Sequence, residues 1–168
     1  MNKLKRYTIY GIIFTLITGT LLHFTYEWSG NNHIVGYLSA VNESTWEHMK
    51  LVFFPMSLYY FYMNNKLKKE HPCVTSSLLF GILLGTLLIP IIFYTYSGIL
   101  GHSLLILDIS TFIICVFIAF SAVYRLSLSC RLKDFQVLLK LLVLLSAVCF
   151  LIFSYNHPTF GIFTDPTR

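Results

Sequence analysis

Apolar residues in this chain fall into long runs, and polar residues are gathered in the breaks between them. A bilayer core about 30 Å thick needs about 20 such residues in a helix that rises 1.5 Å per residue. Five runs meet or approach that length and predict transmembrane helices at residues 7–24, 46–63, 74–96, 103–124 and 135–155. The expected fold is an all-α integral membrane protein: a five-helix bundle forming a single membrane domain over residues 1–168. A loop at 25–45 and a polar tail at 156–168 lie outside the spans. The second run is the least hydrophobic and contains Pro55, which should kink it unless a neighbouring helix satisfies the freed carbonyl. The third carries Gly81, Gly85 and Pro90. A small-xxx-small pair such as Gly81/Gly85 lets backbones approach closely, either at a homodimer seam or in packing within the chain.

Composition supports this reading. Hydrophobic residues make up 56% of the chain and charged residues 11%, and the mean hydropathy is +0.71, far from the balance of a soluble domain. The basic start before residue 7 is also what a secretory signal would show, but the first run is long for a signal core and lacks a clean small-residue cleavage site. The net charge of +5 reflects topology rather than nucleic-acid binding. Lys3, Lys5 and Arg6 precede the first run, Lys66, Lys68 and Lys69 follow the second, and Arg125, Arg131 and Lys133 lie between the fourth and fifth. All three clusters fall on one side, which the positive-inside rule makes cytoplasmic. The N-terminus is then inside, and the 25–45 loop, the 97–102 turn and the C-terminal tail are outside a plasma membrane crossed several times. Lys140 can snorkel to the cytoplasmic surface. Cys115 and Cys149 lie in apolar runs and Cys73 and Cys130 on the cytoplasmic side, so no disulfide is expected. No phosphate-binding loop or dinucleotide fingerprint is present.

With that topology, most histidines and carboxylates collect at the outer side. His23 and Glu27 are four residues apart at the end of the first span, so a continuing helix would turn both to one face, as metal ligands or as an interfacial hydrogen-bonded pair. The segment 42–50, NESTWEHMK, opens the second span. Asn42 or Ser44 can cap that helix and Trp46 can anchor it at the interface. Glu43 with Glu47, and Ser44 with His48, form i, i+4 steps that would bring two carboxylates, an imidazole and a hydroxyl to one pocket. Asp108 is expected about a turn and a half inside the fourth span, where an unpaired carboxylate is expensive. Its partner would be Lys50, a histidine, water or a metal. His33, His102, His157 and Asp165 read as solvated loop groups.

Two resemblances bear on these residues. The segments LHFTYEWSGNN at 22–32 and VNESTWEH at 41–48, with LDI at 107–109 and FTDP at 163–166, resemble an uncharacterised family of small bacterial multi-pass membrane proteins. The resemblance covers most of the chain; it implies a membrane location and no particular reaction. A second similarity is to membrane hydrolases related to alkaline ceramidases. There a Ser-x-x-x-His step on one helix, an Asp on another and a paired His-x-x-x-His on a last helix hold zinc. Ser44 with His48, and Asp108, look like the first two parts. The pattern departs in having five predicted helices rather than seven and only His157 near the end, so His23 would have to replace a missing ligand.

Three function classes follow. A metal-dependent hydrolase would hold a divalent ion, zinc by preference, with His23, Glu27 and His48, and cleave a lipid or envelope precursor with Glu43, Ser44, Glu47 and Asp108 as catalytic groups. A small proton-coupled carrier would use the same acids and histidines as protonation sites. A nonenzymatic envelope sensor or binder would recognise a partner through the outer loop. Membrane lipids, and a second copy of the chain, are the partners expected; nucleic acid is not.

Overall fold

The computed structural model describes residues 2–165, and all of its regular structure there is helical. Five long helices form the bundle: α1 (Lys3–Trp28), α3 (Thr45–Leu67), α4 (Val74–Leu100), α5 (Leu105–Ser129) and α6 (Gln136–Phe153), with a one-turn helix α2 (His33–Gly36) in the loop after α1. The helices overrun the predicted apolar spans at most ends because their caps lie beyond the apolar stretch. Asn2 caps α1 by accepting the Leu4 N–H, and Ser44 caps α3 by accepting the Glu47 N–H. Pro166, Thr167 and Arg168, at the end of the predicted tail, lie outside the described residues.

Four of these helices are long and apolar enough to cross a membrane: α1, α4, α5 and α6, the last together with its leading turn. The exception, α3, is the one most enclosed by protein. Met49, Val52, Phe53, Met56, Tyr59, Met63 and Leu67 along it are buried against the neighbours, as are Glu47 and Lys50. A helix wrapped by others has little lipid-facing surface, so it can carry charge that hydropathy counts against it. Around it pack α1 and α4, with α5 bridging them and α6 on the outside of α4. Of α6, only Leu139 and Phe150 are buried; Phe150 reaches over to Trp46 and Phe53 of α3.

Consecutive long helices run antiparallel. Lys3 at the start of α1 pairs with Glu70 just past the end of α3, while at the opposite end His23 of α1 meets His48 of α3. One end of the bundle is therefore basic, and the other holds His23 and His48. At the basic end, Cys73 and Cys130 form a disulfide with Cα atoms 5.2 Å apart, correcting the expectation of none. That expectation weighed compartment and not proximity: Cys73 caps the start of α4, Cys130 the end of α5, and the antiparallel packing of the two helices joins positions 57 residues apart.

Small residues set the closest approaches. A Cβ on Gly85 would stand 2.9 Å from Ala119 Cβ of α5 and 3.1 Å from Val52 Cγ1 of α3, and one on Gly81 would strike Val123. The Gly81/Gly85 face is thus filled from within the chain, and a homodimer seam is not what it serves. Gly19 makes a second approach, which the sequence reading did not single out: a Cβ there would lie 2.5 Å from the carbonyl oxygen of Leu51. Leu51 is the residue four before Pro55, so its carbonyl is the one the proline leaves without a helical donor. Helix α3 continues through Pro55, with that oxygen seated against α1 at its glycine.

Candidate metal centre

The site is built where α1 ends and α3 begins. Gly19 lets α1 and α3 come close, and His23 lies one helical turn beyond Gly19 on the same face. Likewise His48 lies about one turn before Leu51 and Val52. The two imidazoles meet edge to face, with ring centroids 5.2 Å apart.

Between them comes Glu43, from the segment just before the Ser44 cap. Its Oε2 stands 3.5 Å from His48 Nε2 and 3.9 Å from His23 Nε2. One donor atom from each of the three residues lies within 4.8 Å of the others. The local chain explains the placement. Asn42 Oδ1 accepts the Ser44 N–H at 2.9 Å, a tight turn of the kind Asx side chains favour, and the Ser44 cap then starts the helix, leaving Glu43 outside it.

The ring of His48 is oriented by the same segment. Its Nδ1 sits 2.9 Å from the Ser44 carbonyl oxygen. A carbonyl only accepts, so Nδ1 carries the proton, and in the neutral ring Nε2 presents its lone pair to Glu43 and His23. Metal-binding histidines are commonly held this way, through the nitrogen that does not bind. Ligands around a tetrahedral zinc lie about 3.3 Å apart, given Zn–N and Zn–O distances of about 2.0 Å. The two spacings to Glu43, 3.5 and 3.9 Å, would contract by a few tenths of an ångström around an ion, and the two imidazoles, whose ligand atoms lie within 4.8 Å of each other, would close on it by side-chain rotation. The three side chains are 30%, 47% and 30% exposed, so the cluster is reachable from the protein surface.

Several sequence expectations are corrected here. Glu27 is exposed on the last turn of α1 and outside the cluster; Glu43 is the carboxylate beside the two imidazoles. The Glu43/Glu47 and Ser44/His48 steps do not form helical stripes, because the helix starts only at Thr45. Glu47 instead turns inward, 2% exposed, and pairs with Lys50 at 2.6 Å. Ser44 is 1% exposed and its hydroxyl is engaged as the cap. Asp108 is not deep in its span: α5 begins at Leu105, so Asp108 lies in the first turn, where the helix dipole favours an anion. Its carboxylate accepts the Tyr96 hydroxyl, and Lys50 is committed elsewhere. Among the loop groups, His102 is exposed, His33 packs on Tyr155 and His157 stacks on Phe163. Asp165 approaches the site from the tail, its Oδ2 3.5 Å from the Glu43 amide nitrogen. The sequence does not single out Gly19, or Gly36 and Ser154, which accept from Lys50 Nζ at 2.9 Å each; a glycine one turn before His23 is the one signal it carries.

The chain belongs to a family of unknown function, DUF6512, whose model matches residues 1–168. No curated protein and no solved structure matches it.

Proposed function

We propose that this family member is a multi-pass membrane protein, with α3 as its enclosed fifth span, that binds one divalent transition metal through His23, Glu43 and His48. The basic end faces the cytoplasm and the metal site opens at the opposite surface. The observation that carries the reading is the meeting of His23 Nε2, Glu43 Oε2 and His48 Nε2, with His48 pre-oriented by the Ser44 carbonyl. Three protein ligands and an open fourth position are the arrangement of catalytic rather than structural zinc. His23, Glu43 and His48 would hold such an ion, which would supply an activated water and a Lewis acid for a carbonyl or phosphoryl oxygen, the chemistry of hydrolysis.

An amphiphilic substrate, a lipid or an envelope precursor, suits the surroundings. Phe24 stacks on His23 and Trp28 on Phe24, and both aromatics are exposed. They form an apolar approach from the membrane side to the metal ligands. The carrier alternative would use the same acids and histidines as protonation sites, but the approach of three ligand atoms at one point favours the metal reading.

Metal content of the purified protein tests the reading. Wild type and Glu27→Ala should each hold about one zinc per chain, while His48→Ala and Glu43→Ala should hold little. Protein that takes up no zinc, cobalt or manganese under any loading would end the proposal.

A further inference from the structure

We infer that Glu47 and Lys50 are positioning residues for this centre: a buried clamp that holds segment 37–44 so that Glu43 meets the two imidazoles. The inference rests on the metal reading above. An ammonium has three N–H donors, and each of those on Lys50 has an acceptor: Glu47 Oε2 at 2.6 Å, the Gly36 carbonyl at 2.9 Å and Ser154 Oγ at 2.9 Å. The same Glu47 oxygen accepts the Val41 N–H at 2.9 Å. One ion pair on α3 therefore ties down the end of α2, the middle of the following segment and the end of α6. Glu43 lies two residues beyond Val41, and His48 is the next residue after Glu47.

Burial makes this arrangement informative. Lys50 is 0% exposed and Glu47 2%, so both ions have lost nearly all their water. For helix packing alone, apolar side chains of similar volume serve as well or better. What the charges supply, and apolar groups could not, is hydrogen bonds to the backbone at the end of α2 and at Val41, which helix geometry leaves without partners. The clamp thus acts on the segment bearing Glu43 rather than on the bundle. Groups that fix metal ligands from behind typically change affinity by about 10- to 100-fold when removed.

The test compares full-length proteins in detergent. Zinc affinity is read by competition with a chelating dye, and backbone mobility by amide exchange of residues 37–44. Glu47→Leu/Lys50→Met removes both charges and keeps the volume, so the bundle should stay folded. Its zinc affinity is expected to fall at least about tenfold, with faster exchange across 37–44. Glu47→Gln/Lys50→Met restores an acceptor for Val41 and should lie between that variant and wild type; it also serves if the first variant does not fold. Wild-type zinc affinity together with wild-type exchange in either folded variant overturns the inference. If wild-type protein binds no zinc, the metal reading falls by itself and the clamp is judged by exchange alone: faster exchange upholds it, unchanged exchange overturns it.

Discussion

Substituting Gly19 by alanine should separate the two histidines without touching either of them. The added Cβ would stand 2.5 Å from Leu51 O and 2.6 Å from Phe112 Cζ, where a relaxed C···O contact is about 3.3–3.6 Å. Helix α1 must therefore retreat from α3 by about 0.8 Å or more, because the opposing atom is backbone and cannot rotate away. Overpacking of this kind costs about 1–3 kcal/mol. His23 rides on the same face one turn further on, so its 3.9 Å spacing from Glu43 would widen to about 4.7 Å, against the 3.3 Å or so a tetrahedral ion needs. Closing that gap on binding would draw on the strain the retreat relieved. A penalty of about 1.4 kcal/mol is tenfold in the dissociation constant, so zinc affinity should drop about tenfold or more. Dye competition in detergent measures it, with thermal unfolding run in parallel. Gly98→Ala is the control, since a Cβ there meets nothing within 4 Å. A folded Gly19→Ala protein with wild-type zinc affinity would refute the idea that this approach sets the site.

Two further outcomes follow. Asp108→Asn weakens the bond from the Tyr96 hydroxyl and removes an anion from the first turn of α5, so stability should fall by about 1–2 kcal/mol with metal content unchanged; loss of metal would place Asp108 in the site after all. At the basic end, an inward-facing Cys73/Cys130 pair should be a dithiol in the cell and close only on isolation. A membrane-permeant maleimide applied to intact cells should then label both cysteines and abolish the crosslink, whereas an intact disulfide found in labelled cells would contradict the inward orientation.

Helix positions were legible because lipid and water sort side chains so strongly: the five apolar runs predicted the five long helices, short mainly at their polar ends. The pairing of side chains was not. Helical periodicity extended back to Glu43 and Ser44 treats α3 as already begun, but the Ser44 cap places them outside it and leaves Glu43 part-exposed while Glu47 is buried. Lys50 is one of several partners the sequence allows for Asp108, while its actual partner stands three residues away on its own helix. Backbone acceptors such as the Gly36 carbonyl carry no sequence signature. The Cys73–Cys130 link and the Gly19 approach depend on which helices are neighbours, and hydropathy does not report that.

Zinc-edge X-ray absorption of the loaded, full-length protein asks the central question most directly. Its spectrum should show a shell of about four nitrogen or oxygen donors near 2.0–2.1 Å, with the outer-shell scattering of two imidazoles reduced to one in His23→Ala. A sulfur-containing shell, or an imidazole count unaltered by that substitution, would contradict the proposed site.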